Sequence, residues 1–303
     1  MLTITILDGG MGRELARIGA PFRQPEWSAL ALMDGPERVV EAHLNFVEAG
    51  AQVITTNSYA CVPFHIGDEG FVLRGRELAT LSGKLARKAA TLTSDATQRE
   101  VQVAGSIPPV FGSYKPELFD KNAASVIASV LIESLALNID HWLVETISSI
   151  VEAQTMLAAI TEFGDPIAIR PRWVSFTLAD TLTDGAAHIR SGETISAAVE
   201  ALSGEVEAML FNCSQPEVME TAINEAVAKL GKSSVRIGVY ANAFIEVQSA
   251  PGQAANETLS VLREDLTPER YAAFAQEWIN AGATIVGGCC GITPDHIRAL
   301  TLI

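Results

Sequence analysis

Three cysteines in this chain stand where thiols can converge on one atom. Cys289 and Cys290 are adjacent within Gly287-Gly288-Cys289-Cys290-Gly291, and Cys213 closes an apolar run in Phe211-Asn212-Cys213-Ser214. Neighbouring cysteines make a poor disulfide, because Cα atoms about 3.8 Å apart fall short of the spacing a relaxed bridge needs. They can share a metal if the backbone turns sharply, and the flanking glycines permit such a turn. Three protein ligands suit a catalytic zinc site, which keeps its fourth position open for water or substrate. The plainer alternative is three ordinary buried cysteines, a residue type common in cores. A structural zinc would want a fourth protein ligand. Cys61 and His296 are the candidates, and spacing places neither well.

A second set of groups is polar and acidic. In Leu7-Asp8-Gly9-Gly10-Met11-Gly12, three glycines let a ligand approach the backbone, leaving amide donors beside a carboxylate. The spacing is not the dinucleotide fingerprint; the bland alternative is a tight turn with Asp8 as a helix cap. Glu145 follows the apolar Trp142-Leu143-Val144, at the expected end of a strand. A carboxylate there is costly if buried unpaired, so it should meet a cation. Asp8 and Glu145 together could hold a substrate ammonium group; otherwise Glu145 would pair with Arg170 or Arg172. Thr55-Thr56-Asn57-Ser58-Tyr59 supplies further hydrogen-bonding groups fit to line a pocket. Trp27, Tyr59, Tyr240 and Phe244 could face a cationic methyl donor. His43, His65, His141 and His188 show no metal or triad spacing.

The elements that must position these residues read as an alternation. Apolar or β-branched runs at 3–7, 53–56, 101–104, 142–144, 173–176, 208–211, 235–240 and 284–286 are expected strands. Helical patterns lie between them, such as Val40, Leu44 and Val47 on one face of 36–49, and Tyr271, Phe274 and Trp278 on one face of 268–281. Thr267-Pro268-Glu269 and Thr293-Pro294-Asp295 read as helix starts, with a capping hydroxyl, a first-turn proline and an acid. Gly50 and Gly282 read as matching helix ends. Eight such repeats predict an α/β fold, a (β/α)8 TIM barrel, with a doubly wound open sheet as runner-up. Long strand-to-helix segments at 58–70, 106–121, 178–191 and 243–266 would build the C-terminal face, where barrel sites lie. No linker marks a boundary, so residues 1–303 are expected to form one domain.

Composition narrows the partners. A 303-residue chain with 48% hydrophobic and 19% charged residues has the make-up of a globular protein with a sizeable core. A formal net charge of −15 argues against nucleic acid and anionic membrane, which both call for a basic footprint. The first residues lack the basic start and apolar run of a signal peptide, and no apolar run approaches the roughly 18 residues of a membrane span. Four cysteines are too few for a disulfide scaffold, so reduced thiols and a cytoplasmic location are expected.

Taken together, Asp8-Gly9-Gly10-Met11-Gly12, Ile54-Thr55-Thr56-Asn57-Ser58-Tyr59, Ala104-Gly105-Ser106, Glu145-Thr146-Ile147, Phe211-Asn212-Cys213, the double-cysteine motif and Thr293-Pro294-Asp295-His296-Ile297 resemble the homocysteine S-methyltransferase family. They run in family order across essentially the whole chain. The resemblance implies a zinc-binding (β/α)8 barrel that moves a methyl group from a sulfonium donor, S-methylmethionine before S-adenosylmethionine, to homocysteine, giving methionine. It implies Cys213, Cys289 and Cys290 as zinc ligands. It also implies Asp8, Gly9, Gly10, Asn57 and Glu145 as substrate-binding positions, and small-molecule partners. The chain departs from the family at Tyr240-Ala241-Asn242-Ala243-Phe244, where many relatives carry a Pro-Asn-Ser-Gly-like stretch. It departs again at Thr146, where betaine-using enzymes place an aromatic. Both departures touch the donor side and count against betaine.

The mechanism expected from such a site rests on thiolate chemistry. A free thiol is mostly protonated at neutral pH, and the thiolate is the nucleophile. Zinc coordination removes the proton, and three cysteine thiolates around Zn²⁺ carry a net charge of −1, which keeps an added substrate sulfur nucleophilic. The competing classes are a zinc hydrolase using metal-bound hydroxide and a non-catalytic barrel with a structural metal. Three thiolates make zinc a weak Lewis acid, which disfavours the hydrolase.

Overall fold

Each expected apolar run becomes a strand, and all eight pair in parallel, so both faces of every strand must be covered. The computed structural model describes residues 3–245 and 261–303. The strands are β1 (Thr5–Ile6), β2 (Val53–Thr55), β3 (Gln102–Ile107), β4 (His141–Ile147), β5 (Arg172–Thr177), β6 (Ala208–Asn212), β7 (Arg236–Tyr240) and β8 (Ile285–Val286). Their order is β1-β8-β7-β6-β5-β4-β3-β2. The remaining gap is bridged by Leu7 against Val53, with Asp8 N–H donating to Val53 O at 3.0 Å. The sheet therefore closes as a barrel, and the open-sheet alternative falls.

A helix follows each strand: Pro36–Ala49, Arg76–Thr97, Lys121–Leu135, Ile150–Glu162, Ile195–Leu202, Pro216–Leu230, Pro268–Ala281 and Pro294–Leu300. Their ends follow the predicted chemistry. The Thr267 side chain accepts from Arg270 N–H, and Thr293 is joined to the His296 ring in a capping box. Gly50 and Gly282 both adopt φ +119°, the left-handed turn that lets a helix feed straight into the next strand. Among the described residues no helix is long and apolar enough to cross a membrane.

Alternation along the strands divides the core. Outward residues such as Ile54, Val103, Val144, Val174, Met209 and Val239 pack under the helices. Inward residues form a separate plug that includes Leu7, Val53, Ala104, Leu143, Trp173, Ala208, Leu210 and Ile285. One pleat further toward the C-terminal end the inward positions turn polar, with Ser106, Glu145 and Ser175, and then Asn212.

The differences from expectation are local. β1 and β8 are only two residues long. β4 runs past Glu145 to Ile147, so Glu145 lies inside the strand rather than after its end, and the β4–β5 register shifts between Val144 and Ile147. The cause is a bulge at Thr146, with φ +60°, which inserts one residue and turns both Glu145 and Thr146 toward the barrel interior. The segment 58–70 holds two short helices, Pro63–Ile66 and Asp68–Gly70. The segment 178–191 folds back as an arm, Leu178 against Ile189 and Thr183 against Ala186. Of 243–266, residues 246–260 lie outside the described residues.

Candidate functional site

The strand ends at the C-terminal face surround a cavity of about 160 Å³, and Asp8, Gly9, Gly10, Asn57, Glu145, Cys213, Cys289 and Cys290 all line it. The cysteines come from β6 and β8, separated by a single strand, and their sulfurs lie within 4.8 Å of one another. Cys213 takes φ +53° directly after β6, which turns its side chain into the barrel mouth. The double-cysteine turn is pinned on both sides: Cys289 N–H donates to Ala241 O at 2.9 Å, and Ala243 N–H to Cys290 O at 2.8 Å. A Cβ on Gly10 would stand 2.8 Å from Cys289 O, so this glycine lets the β1 turn press against the cysteine turn.

Cys289 Sγ donates to Cys213 Sγ at 2.9 Å. Thiol hydrogen bonds from Cys289 and Cys290 hold the Cys213 thiol well below its ordinary range, and the same contact to Cys213 pushes both partners up. Three sulfurs this close, with Cys213 favouring its thiolate, form a donor set suited to a cation. Tetrahedral zinc with sulfur at about 2.3 Å has S···S edges of roughly 3.8 Å; the three sulfurs lie within 4.8 Å of one another, and side-chain rotation that parts Cys213 and Cys289 from 2.9 Å by roughly 1 Å forms that triangle. Among the described residues no other histidine, cysteine or carboxylate joins the group. Cys61 is buried elsewhere, its thiol directed at Asn57 O and pushed up to about 12 by burial. The His296 ring is taken by Thr293 and Leu266 O. Both fourth-ligand candidates are therefore structural, and the three cysteines leave a position open.

The carboxylates face the same cavity. Asp8 Oδ2 accepts from Thr55 N–H at 2.7 Å and Oδ1 from Thr55 Oγ1 at 3.1 Å. It caps no helix, since Met11–Arg17 begins at Gly10 without a side-chain cap. Glu145 accepts from Ser106 Oγ and, at 3.4 Å, from Tyr240 OH. It does not pair with Arg170 or Arg172, because Arg172 opens β5 at the opposite end of the barrel and Arg170 precedes it. Burial pushes both acids up to about 7; the other's charge adds to Asp8, and Cys213 adds to Glu145. The expected open amides are partly used: Gly10 N–H donates to Ile292 O at 2.9 Å. Asn57 Nδ2 likewise donates to Ser28 O at 3.0 Å and so ties down the segment that carries Trp27.

Sequence reasoning missed three contributors. Tyr114, in the segment after β3, donates to Cys213 Sγ at 2.8 Å. Asn212 exchanges hydrogen bonds with Thr146 and accepts from Ser175 Oγ at 2.8 Å, fixing the bulge that aims Glu145. His65, unassigned from its spacing, lines the cavity, as do Trp27, Tyr59, Tyr240 and Phe244. Asn212 was visible only as the neighbour of Cys213; nothing in the chain pattern pointed to Tyr114. Four of the six non-glycine residues with positive φ among the described residues line this cavity: Trp27, Tyr114, Thr146 and Cys213. Backbone strain of that kind gathers at functional sites.

Comparison with known proteins brings sequence and shape together. The homocysteine S-methyltransferase family profile matches residues 5–302. Homocysteine S-methyltransferase 1 of Zea mays is 31% identical over 322 residues, taking in 98% of this chain and 93% of its own. A selenocysteine methyltransferase of Astragalus bisulcatus is 28% identical over 97% of this chain and 90% of its own. The metallated crystal form of the homocysteine methyltransferase MmuM from Escherichia coli is similar with a TM-score of 0.77 at 27% identity, covering 99% of this chain and 96% of that one.

Proposed function

We propose a chemistry for this cavity from one premise: the chain belongs to the homocysteine S-methyltransferase family, and it methylates the thiol of homocysteine to give methionine. The donor set suits Zn²⁺, which favours soft thiolate ligands, with Cys213, Cys289 and Cys290 holding it. Bound there, zinc supplies the Lewis acidity that lets an incoming thiol lose its proton at neutral pH.

The rest belongs to the chain's own side chains. Asp8 and Glu145 take the ammonium group of homocysteine. Each is already fixed by its own donors, so the amine enters a preformed acidic pair and lets both acids ionise. Gly9 and Gly10 keep the wall thin enough for the amino-acid end to fit beside the sulfur cluster. Asn57 acts through Ser28, holding the Trp27 segment over the cavity. Trp27, Tyr59 and Phe244 offer ring faces to a sulfonium cation. The two substrates meet with the acceptor sulfur fixed at one end, which supplies alignment for in-line transfer.

The observation that carries this reading is one cavity shared by three converging thiols and two buried carboxylates near neutrality. The donor is a sulfonium. S-methylmethionine is put before S-adenosylmethionine as that sulfonium, and the donor panel below decides between them. Residues 1–303 act as one homocysteine-binding barrel. A cytoplasmic setting belongs to the same reading, since thiolate ligands are kept reduced there.

Metal analysis together with a donor panel tests the reading. Stoichiometric zinc, and methionine formed from homocysteine with S-methylmethionine faster than with S-adenosylmethionine or betaine, are the expected results by mass spectrometry. Zinc without homocysteine-dependent product would remove the assignment. Faster turnover of selenocysteine than of homocysteine would move the acceptor to the selenol.

A further inference from the structure

The thiol cluster has a neighbour that neither belongs to the donor set nor grips the amino-acid end. The Tyr114 hydroxyl donates to Cys213 Sγ at 2.8 Å. Its backbone stands at φ +65°, an unfavourable conformation for a residue with a Cβ. The residue before it is tied down too, Ser113 Oγ lying 2.6 Å from the Tyr59 hydroxyl. Over the Tyr114 ring sits the Arg190 guanidinium, its carbon 4.9 Å from the ring centroid. Asp180 holds that guanidinium at 2.8 Å. Arg190 N–H donates to Thr177 O at 3.0 Å, which fixes the arm to the end of β5. Segments following β3, β5 and β6 thus meet at one hydroxyl–sulfur contact. A tyrosine buried for bulk alone would need neither a left-handed backbone nor a clamped cation on its face.

We propose, on the reading that the cluster binds a metal, that Tyr114 is a positioning residue held by Arg190, which fixes Cys213 and makes it the weakest sulfur donor of the three. A hydrogen bond to a thiolate draws off part of its charge, and a cation over the phenol ring strengthens the phenol as a donor. Three thiolates already outweigh a divalent ion, and a substrate thiolate adds a further negative charge. Weakening one cysteine donor leaves more attraction for the fourth sulfur. Tyr114 therefore acts on acceptor binding, while the methyl-transfer step itself is left to the substrate sulfur.

Cobalt(II) substitution gives a readout apart from turnover, because the thiolate-to-metal charge-transfer band reports how strongly the sulfurs donate. Tyr114→Phe should move that band to longer wavelength. The same change should raise the homocysteine KM on the order of tenfold, the scale of one charge-assisted hydrogen bond, with kcat within about twofold. Arg190→Met keeps the hydroxyl and should shift band and KM in the same direction by less. A Tyr114→Phe protein with the wild-type band and KM overturns the proposal. If that variant does not fold, a wild-type band in Arg190→Met overturns it instead. Wild-type protein that takes up no cobalt sinks the metal reading, and this proposal with it.

Discussion

At one end of the barrel Leu143, Trp173 and Ala208 fill the interior with apolar side chains; one or two pleats along the same strands stand Glu145, Ser175 and Asn212. Alternation alone cannot distinguish the two ends, since both sets occupy inward positions of β4, β5 and β6. The N-terminal end is close-packed and contributes burial energy. The C-terminal end holds two acids near neutrality, three thiols and four residues in left-handed backbone, each strained residue costing about 1–3 kcal/mol. The difference teaches that stability in this chain is made at one end of each strand and spent at the other, where the chemistry lies.

Four experiments can break or sharpen that contrast. The largest effect is expected from Cys290→Ala, which removes one of three sulfurs. Metal affinity should fall by well over ~100-fold, more than the loss of a supporting partner costs, and fluorescence of a released-zinc chelator checks it. Thermal unfolding of that variant's metal-free form should stay close to that of the metal-free parent.

At the apolar end, Leu143→Ala should cost about 3 kcal/mol by denaturant unfolding, because a fully enclosed side chain leaves a cavity. Its homocysteine kinetics should remain within about twofold of the parent once folded. A large change in KM with little loss of stability would erase the distinction between the ends.

The acids offer a pH test. Asp8 and Glu145 have folded values near 7, above their ordinary 3.8 and 4.5. The folded state therefore binds more protons than the unfolded state between those limits. Their contribution to stability is present below about 4 and is lost as pH rises through about 7. Glu152, also raised to about 7, acts in the same direction. Protein without homocysteine should accordingly lose melting temperature from pH 5 to 8. Homocysteine binding should tighten across the same range as the pair ionises around the ammonium group. Calorimetric titration of Glu145→Gln should show that dependence reduced, and an unchanged slope would take Glu145 out of the pair.

The smallest effect is expected from Thr146→Gly. Glycine accepts φ +60° without strain but loses the hydroxyl that Asn212 holds at 2.9 Å. The two should nearly offset, leaving stability within about 1 kcal/mol. Turnover should drop more than stability does, because Glu145 is no longer aimed. A loss of several kcal/mol would mean that the bulge belongs to the scaffold.

Much of this was legible in the chain. The barrel followed from apolar runs between capped helices, and Gly50 and Gly282 marked helix ends because only the left-handed turn delivers the chain into the next strand. Cys213, Cys289 and Cys290 could be placed because strand ends are strongly patterned. The apolar pattern ends β4 at Val144, whereas the strand runs on through Glu145 to Ile147. A bulge has no composition of its own, and a β-branched threonine is the last residue to suggest positive φ. Tyr114 was invisible for another reason: it sits in a segment without periodicity, and its contact to Cys213 spans 99 positions. Cys61 and His296 could be separated from the cluster only by tertiary packing.

The seam of the barrel has a mechanical consequence. β1 and β8 contribute two residues each, and β1 meets β2 through the Leu7–Val53 bridge and its flanking hydrogen bonds. A hoop gives first at its thinnest joint, so amide exchange should begin at Leu7 and Asp8. The double-cysteine turn after β8 and the Asp8 carboxylate after β1 lie on one side of that joint, and Asp8 reaches across it to Thr55 on β2. An amino acid gripped by its sulfur on one stave and its ammonium on the next works as a clasp, so loading the acceptor should slow exchange along the seam before any methyl group moves.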